Sequence, residues 1–508
     1  MSQLLLTDFL DRARELFPGK EIAQYDGDTL AHRYTYRDYH DRVLRLAGAL
    51  RDLGVRPGDR VATLAWNHRR HLELYFAVPL AGAVLHTVNL RLEPEEIGYI
   101  LDHAEDRVIF ADTSLLPLVE PVRRHRLVVD DGGYEALIDS AEPLAERPTL
   151  AEEDLAALCY TSGTTGPPKG VGYSHRSLYL HTFAACLADG HAISERDTVL
   201  HVVPMFHANA WGIPFAATMT GANQVLPGPH PVPAGIARII EAERVTYTGM
   251  VPTVAVDLVR EAAKRDLSSL RALVLGGSTP SADLVRDIEE RLGVPVFQGW
   301  GMTEISPMGT FSRPLPSAEH DPAERRRYIR KQGRLLPGLR WKLVDDEGHD
   351  VPHDGVARGE LLIKGPWVAT RYYRDEQPGS FTDGWLRTGD IATIDPDGYL
   401  EIVDRAKDLI KSGGEWISSV ALEQALLANP AVAEAAVIAV PHARWQERPL
   451  ALVVLGKPVD TADLLAGLDV PRWWRPDDVV VVDELPRTSV GKLDKKALRE
   501  RLSARRPA

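Results

Sequence analysis

The sequence predicts an α/β fold: a large N-terminal domain of βαβ-type subdomains, a β-rich subdomain over about 338–400, and a small α+β C-terminal domain. Three observations predict it. Through the first 400 residues, short β-branched runs alternate with helix-period stretches, the pattern of parallel sheets covered by helices. From Gly338 to Leu400 the turn signals crowd together and closely spaced strands take over. After Asp404 a fresh stretch of about a hundred residues carries its own helix and strand patterns and ends in a basic tail.

Each element has a local reason. The start, MSQLLLTDFLDRAREL, reads as an amphipathic helix, because acidic residues enter by Asp8 and interrupt the apolar run. Tyr39 to Leu53 and Ser281 to Leu292 have helical spacing, whereas Arg60-Val-Ala-Thr-Leu-Ala and Ala272-Leu-Val-Leu are short buried-strand runs. Turns at Asp346-Glu-Gly, His353-Asp-Gly and Asp395-Pro-Asp-Gly punctuate the β-rich segment. Beyond it, the pattern predicts a helix near Ser419 to Leu427 and strands at Val432 to Val440 and Leu450 to Leu455. A length of 508 residues suits two or three domains, and we place the boundary between 1–404 and 405–508.

Charge and cysteine content exclude several classes. A formal net charge of -13 argues against a nucleic-acid partner, which needs a basic surface. Cys159 and Cys186 lie in apolar stretches without C-x-x-C spacing, so neither a disulfide framework nor a cysteine zinc site is implied, and a reducing cytoplasm fits. The longest uncharged apolar run, Leu74 to Leu85, is too short to span a bilayer, and no membrane anchor is expected.

Directly behind the apolar run Leu155 to Cys159 stands Tyr160-Thr-Ser-Gly-Thr-Thr-Gly-Pro-Pro-Lys-Gly-Val171. Glycines let backbone amides approach phosphate, hydroxyls donate to it, and a lysine adds a point charge, so this is an anion cradle. It is not a Walker A loop, since two prolines separate Gly166 from Lys169. Nor is Gly299-Trp-Gly301-Met-Thr-Glu304 a dinucleotide fingerprint, because the third glycine is missing.

The chain resembles, over essentially its whole length, the adenylate-forming superfamily of acyl-CoA synthetases, acyl-adenylating domains and luciferases. The loop at 160–171 carries the resemblance together with Gly276-Gly-Ser-Thr-Pro280, Gln298-Gly-Trp-Gly-Met-Thr-Glu304, Trp385-Leu-Arg-Thr-Gly-Asp390, the stretch Gly398 to Glu415, and Pro486-Arg-Thr-Ser-Val-Gly-Lys492. In its motifs it is most similar to the branch of fatty-acyl-CoA synthetases and methylthiopropionate-CoA ligases.

The resemblance implies ATP, Mg²⁺ and coenzyme A as co-substrates and cofactor, and a role for each motif. Thr161, Ser162, Gly163, Thr164, Thr165 and Lys169 would wrap the β- and γ-phosphates. Thr303 would touch the α-phosphate and Glu304 would bind Mg²⁺. Gly276, Gly277 and Ser278, with Gly299, Trp300, Gly301 and Met302, would form the adenine side of the nucleotide site, Trp300 standing where the family more often has Tyr. Asp390 and Arg405 would hold the ribose. Lys492 would be the main catalytic cation, carried on a small mobile lid domain that turns about Lys407, and the loop with Ser412, Gly413 and Gly414 would then face the thiol. His207 would lie near the reacting carboxylate, and Trp211 corresponds to a tryptophan that gates the acyl tunnel. Catalysis is therefore expected from Lys492, Thr303, Glu304 and His207.

The activity implied is ATP-dependent conversion of a carboxylic acid to acyl-AMP with release of pyrophosphate, then acyl transfer to coenzyme A. The adenylation motifs leave open a different acceptor, such as a carrier-protein thiol, an amine or a small inorganic nucleophile. Fatty, thioalkanoic and aryl acids remain open as substrates, and a homodimer is carried over from the fatty-acyl branch without a legible interface. No role attaches to Trp341 or to Arg325-Arg-Arg-Tyr-Ile-Arg330.

Overall fold

Short apolar runs flanked by turns become strands here, and they set the architecture. The computed structural model describes residues 2–120, 122, 127–161, 167–375, 379–413, 415–487 and 493–503. The chain divides into two units, Met1–Arg340 with Lys364–Leu386 and Trp341–Ile363 with Arg387–Ala508. Much of the β-rich segment thus groups with the C-terminal part.

Among the described residues, the first unit holds a six-stranded and a nine-stranded sheet. The six-stranded sheet runs Leu127–Val129, Asp106–Ala111, Arg60–Leu64, Val84–Thr87, Leu155–Tyr160 and Gly170–Ser174. All neighbours are parallel except the last pair, an antiparallel hairpin that ends with Tyr160 opposite Gly170. That hairpin fixes both ends of the segment between them. In the other sheet, Asn223–Leu226, Thr198–Leu200, Tyr247–Met250, Ala272–Leu275 and Val296–Gly301 run parallel, and Met308–Phe311 returns antiparallel to Val296–Gly301. Their cores are aliphatic, with Ile109, Leu64 and Ile100 in one and Leu273, Val296 and Ile240 in the other fully buried.

The expected helix at Tyr39 to Leu53 is Tyr36–Asp52. It starts earlier because Thr35 caps it: the Thr35 side chain accepts from the Asp38 amide, and the Asp38 carboxylate accepts from the Thr35 amide. The stretch Ser281 to Leu292 is α-helical only over Ala282–Asp287 and then widens into a π-helical turn, Ile288–Leu292. There the arginine-rich helix Pro322–Arg330 finds its use, as Arg325 and Arg326 pair with Glu289, and Arg326 also with Glu290.

In the second unit, Ile410–Ser412, Glu415–Ile417, Val432–His442, Gln446–Leu455 and Asp478–Val481 form a sheet backed by the helix Ser419–Leu427. The buried carboxylate of Asp404 ties that helix to the strand Leu400–Arg405: it accepts from both the amide and the hydroxyl of Ser419, each at 2.6 Å, and from the Arg405 amide. Lys495 donates to the same Ser419 hydroxyl and pairs with buried Glu423 at 2.7 Å, which anchors the helix Lys495–Ser503. No described helix is long and apolar enough to cross a membrane.

Asp404→Ala removes an acceptor from buried donors and is expected to lower the stability of the second unit by about 2–5 kcal/mol. Urea unfolding followed by tryptophan fluorescence measures this, and Asp404→Asn should recover part of the loss.

Candidate nucleotide and acid site

The base of the glycine-rich loop is pinched shut. The Thr161 amide donates to the Lys169 carbonyl at 2.9 Å, and the Lys169 amide donates back to the Thr161 hydroxyl at 3.3 Å. Gly170 follows because Tyr160, Tyr373 and Leu158 crowd the place of its Cβ. Ser162, Gly163, Thr164 and Thr165 lie outside the described residues, as do Gly414 and Lys492.

Facing this base is the turn after Val296–Gly301. Gly301 must lack a side chain, since a Cβ there would stand 2.1 Å from the Pro307 carbonyl oxygen. The chain then folds back tightly, the Met302 amide donating to that carbonyl. Thr303 and Glu304 are buried in the turn. Tyr173 donates to the Thr303 carbonyl at 2.7 Å, and the Ala369 amide donates to the Glu304 carbonyl at 2.8 Å. The Glu304 carboxylate accepts from the Tyr372 hydroxyl at 2.9 Å, while the Lys169 ammonium lies 4.6 Å from the centre of the Tyr372 ring. One tyrosine thus joins the phosphate-loop lysine to the expected magnesium carboxylate. A buried carboxylate oxygen suits a hard divalent cation, so the residues present fit Mg²⁺.

The segment 207–212, which carries the expected acid-pocket residues His207 and Trp211, is strained. Ala208, Asn209, Ala210 and Trp211 all have positive φ, between 41° and 59°, and Gly212 follows at 74°. Each L-residue in this left-handed region costs about 1 kcal/mol or more, so the surroundings must hold it. Cys159 donates to the Asn209 side-chain oxygen at 3.3 Å, and the Ala210 amide donates to the His207 carbonyl at 3.0 Å. The Cys159 thiol is itself pushed up to about 11 by burial, which makes it a packing group. Gly212 is required twice, by its φ and because a Cβ would meet His181 at 2.8 Å. The turn carries the half-buried Trp211 onto the sheet: its indole covers Gly249 and Gly276, and a Cβ on Gly276 would lie 2.7 Å from it. Gly276 therefore lies directly against the Trp211 indole. Gly277, at a φ of 86°, and Ser278 are exposed, and Trp300 is buried against Gly309 opposite Thr310.

In the second unit Asp390 and Arg405 are cross-strand partners, the Asp390 carboxylate accepting from Arg405 Nε at 2.8 Å. Lys407 is exposed, and the partial desolvation it undergoes pulls its ammonium below the ordinary lysine range. Arg499 reaches its carbonyl and the Asp408 carboxylate. The Ser412 hydroxyl accepts from Arg448, and Gly413, at a φ of 63°, lies under the Trp445 indole, 2.8 Å from where its Cβ would be.

Sequence reasoning missed Tyr372, Tyr173, Asn209 and His181. The His181 Nε2 accepts from the Met308 amide, and burial pushes this imidazole down to about 3, so it is neutral and its proton sits on Nδ1. None of the four lies in a glycine-rich motif, so only their places in the fold reveal them.

A family described as AMP-binding enzyme matches residues 10–373, and one described as AMP-binding enzyme C-terminal domain matches 421–492. A long-chain-fatty-acid–CoA ligase of Thermus thermophilus is 49% identical, covering 98% of this chain and 95% of its own. A 3-methylmercaptopropionyl-CoA ligase of Ruegeria lacuscaerulensis is 43% identical over 98% of this chain and 97% of its own. Among solved structures, the o-succinylbenzoate coenzyme A synthetase of Bacillus subtilis, in complex with ATP and magnesium ion, superposes with a TM-score of 0.85 at 28% identity, covering 97% of this chain and 99% of that one.

Two outcomes follow from this geometry. Gly276→Ala should displace the Trp211 indole and change acid selectivity, read as a shift in kcat/KM ratios between short and long acids of about tenfold, the scale of one methylene-sized change. Burial lowers His181 and His191 to about 3 and His175 and His201 to about 4. Each therefore contributes stability that is full above the unfolded value near 6.5 and is lost as pH falls toward the folded value. The urea midpoint is expected to fall steadily from pH 7 to pH 5.

Proposed function

The chain belongs to the AMP-binding enzyme family, and from that premise we propose the roles of its residues in the ligation it carries out. It activates a carboxylic acid with ATP to acyl-AMP and pyrophosphate, then transfers the acyl group to coenzyme A. The observation that carries the site reading is the meeting of the loop base Thr161–Lys169 with the Thr303–Glu304 turn inside one unit.

Lys169 and the loop hold the leaving phosphates, and Thr303 lies beside the α-phosphate. Glu304 would hold Mg²⁺, whose charge would offset that of the phosphates. Attack by the carboxylate on the α-phosphorus builds negative charge on its oxygens, and Lys492 stabilises that charge where it develops. Asp390 accepts from the ribose hydroxyls, and Arg405 fixes the Asp390 carboxylate. His207 orients the acid, and Trp211 on Gly249 and Gly276 sets its depth. The acid is an aliphatic one, fatty or thioalkanoic, a reading supported by the relatives at 43% and 49% identity.

For the second half-reaction we assign the lid to 405–508, its pivot to Lys407 and the thiol-facing loop to Ser412, Gly413 and Gly414. The reading is supported by the glycines of that loop and by the clamp that Arg499 places on residues 407 and 408. A homodimer in a reducing cytoplasm completes the proposal, supported by two free cysteines and by the family resemblance.

The test is a mass-spectrometric assay with ATP, Mg²⁺ and a panel of fatty, thioalkanoic and aryl acids, with and without coenzyme A. An aliphatic acyl-CoA formed only with coenzyme A is the expected product, whereas turnover of aryl acids alone would reject the acid assignment. Lys492→Ala should slow adenylate formation about 10²- to 10³-fold and spare thiolysis of presynthesised acyl-AMP. An equal fall in both half-reactions would contradict the division of labour between two conformations.

A further inference from the structure

The segment 367–373 acts as a strap across the nucleotide side of the first unit. The Trp367 carbonyl accepts from the Ser306 hydroxyl, and the Trp367 indole donates to the Met308 carbonyl. The Ala369 amide donates to the Glu304 carbonyl, and the Tyr373 amide donates to the Gly170 carbonyl at 2.7 Å. The strap therefore bonds to both the metal turn and the phosphate-loop hairpin. Tyr372 sits between these anchors, buried, with two different attachments: its hydroxyl on Glu304 Oε1 and its ring face under the Lys169 ammonium.

These two contacts have opposite chemistry, and both matter for a magnesium–triphosphate substrate. A hydroxyl that donates to a metal-binding carboxylate fixes its rotamer, as outer-shell partners of metal ligands do. A ring face attracts an ammonium more weakly than phosphate does, so it can hold a lysine in place and yield it to a stronger anion. We propose that Tyr372 is a positioning residue for the Mg²⁺–ATP complex: it sets the Glu304 carboxylate for the cation and parks Lys169 beside it until the triphosphate arrives. This deepens the site reading above, and it rests on the assignment of Glu304 to Mg²⁺ and Lys169 to phosphate.

The two contacts can be separated by substitution. Tyr372→Phe keeps the ring and loses the hydroxyl, so it should weaken the Mg²⁺ dependence alone. Tyr372→Leu loses both, so it should weaken nucleotide binding further at saturating Mg²⁺. A purely structural role would lower stability without sorting the two effects in this way.

The experiment is calorimetric titration of the full chain with ATP, without acid, at stepped Mg²⁺ concentrations, for wild type, Tyr372→Phe, Tyr372→Leu and Glu304→Gln. Thermal unfolding and thiolysis of presynthesised acyl-AMP serve as controls for folding. We expect Tyr372→Phe to raise the Mg²⁺ concentration for half-maximal ATP binding about tenfold, with thiolysis held near wild type and any fall in unfolding temperature no larger than that of Tyr372→Leu. Tyr372→Leu should add a loss of ATP affinity that high Mg²⁺ does not restore. Should Glu304→Gln shift the Mg²⁺ dependence while Tyr372→Phe does not, the positioning role is wrong and the metal assignment stands. Should Glu304→Gln itself leave the dependence unmoved, the metal assignment fails and the proposal falls with it.

Discussion

The absence of a side chain at residue 301 is the constraint on which the nucleotide side of the first unit depends. The Pro307 carbonyl occupies the place a Cβ would take, and only that close approach lets the chain reverse within a few residues after Val296–Gly301. Everything that follows hangs on the reversal. Thr303 and Glu304 are presented from a buried turn whose carbonyls are held by Tyr173 and Ala369, and whose far end is bound by His181 at the Met308 amide. Held on several sides, the turn offers side chains at fixed positions, which is what charge stabilisation by preorganised groups requires.

A second rigid feature faces the first. The left-handed run from Ala208 to Gly212 is unfavourable on its own, and it survives because Cys159 and the buried packing around Asn209 and Ala210 secure it. Cys159 lies on the strand Leu155–Tyr160 that ends at the phosphate loop, and Tyr173 lies on its hairpin partner. The same hairpin therefore touches both the acid segment and the Thr303 turn. Strand pairing thereby links the position of the phosphate-loop base to those of the Thr303 turn and the segment 208–212.

Much of this was legible in the sequence, for identifiable reasons. Apolar runs such as Ala272–Leu275 and the helix Ser419–Leu427 match their predicted spans, because strand and helix periods leave clear marks over four to nine residues. Lys169, Glu304, Asp390 and Arg405 were marked as candidates by the motifs they stand in, and their roles stay proposals; the structure sets Lys169 and Glu304 on the two sides of Tyr372 and pairs Arg405 with Asp390. The helix start at Tyr36 was missed although Thr35-Tyr-Arg-Asp38 carries a capping signal. Tyr372, Tyr173 and His181 were illegible for a different reason: each acts through one long-range hydrogen bond, to Glu304, Thr303 and Met308, and nothing in local spacing encodes a partner more than sixty residues away. The π-helical turn at Ile288–Leu292 and its arginine braces belong to the same class.

The turn, the hairpin and the strap fit the proposed role of holding a triphosphate, a cation and a carboxylate while a phosphoanhydride is exchanged for a mixed anhydride. That chemistry has a direct signature, the exchange of labelled pyrophosphate into ATP, which requires reversible acyl-AMP formation and no thiol. The account predicts exchange that depends on both an aliphatic acid and Mg²⁺ and proceeds without coenzyme A. Exchange that fails without coenzyme A, or release of ADP in place of pyrophosphate, would contradict it.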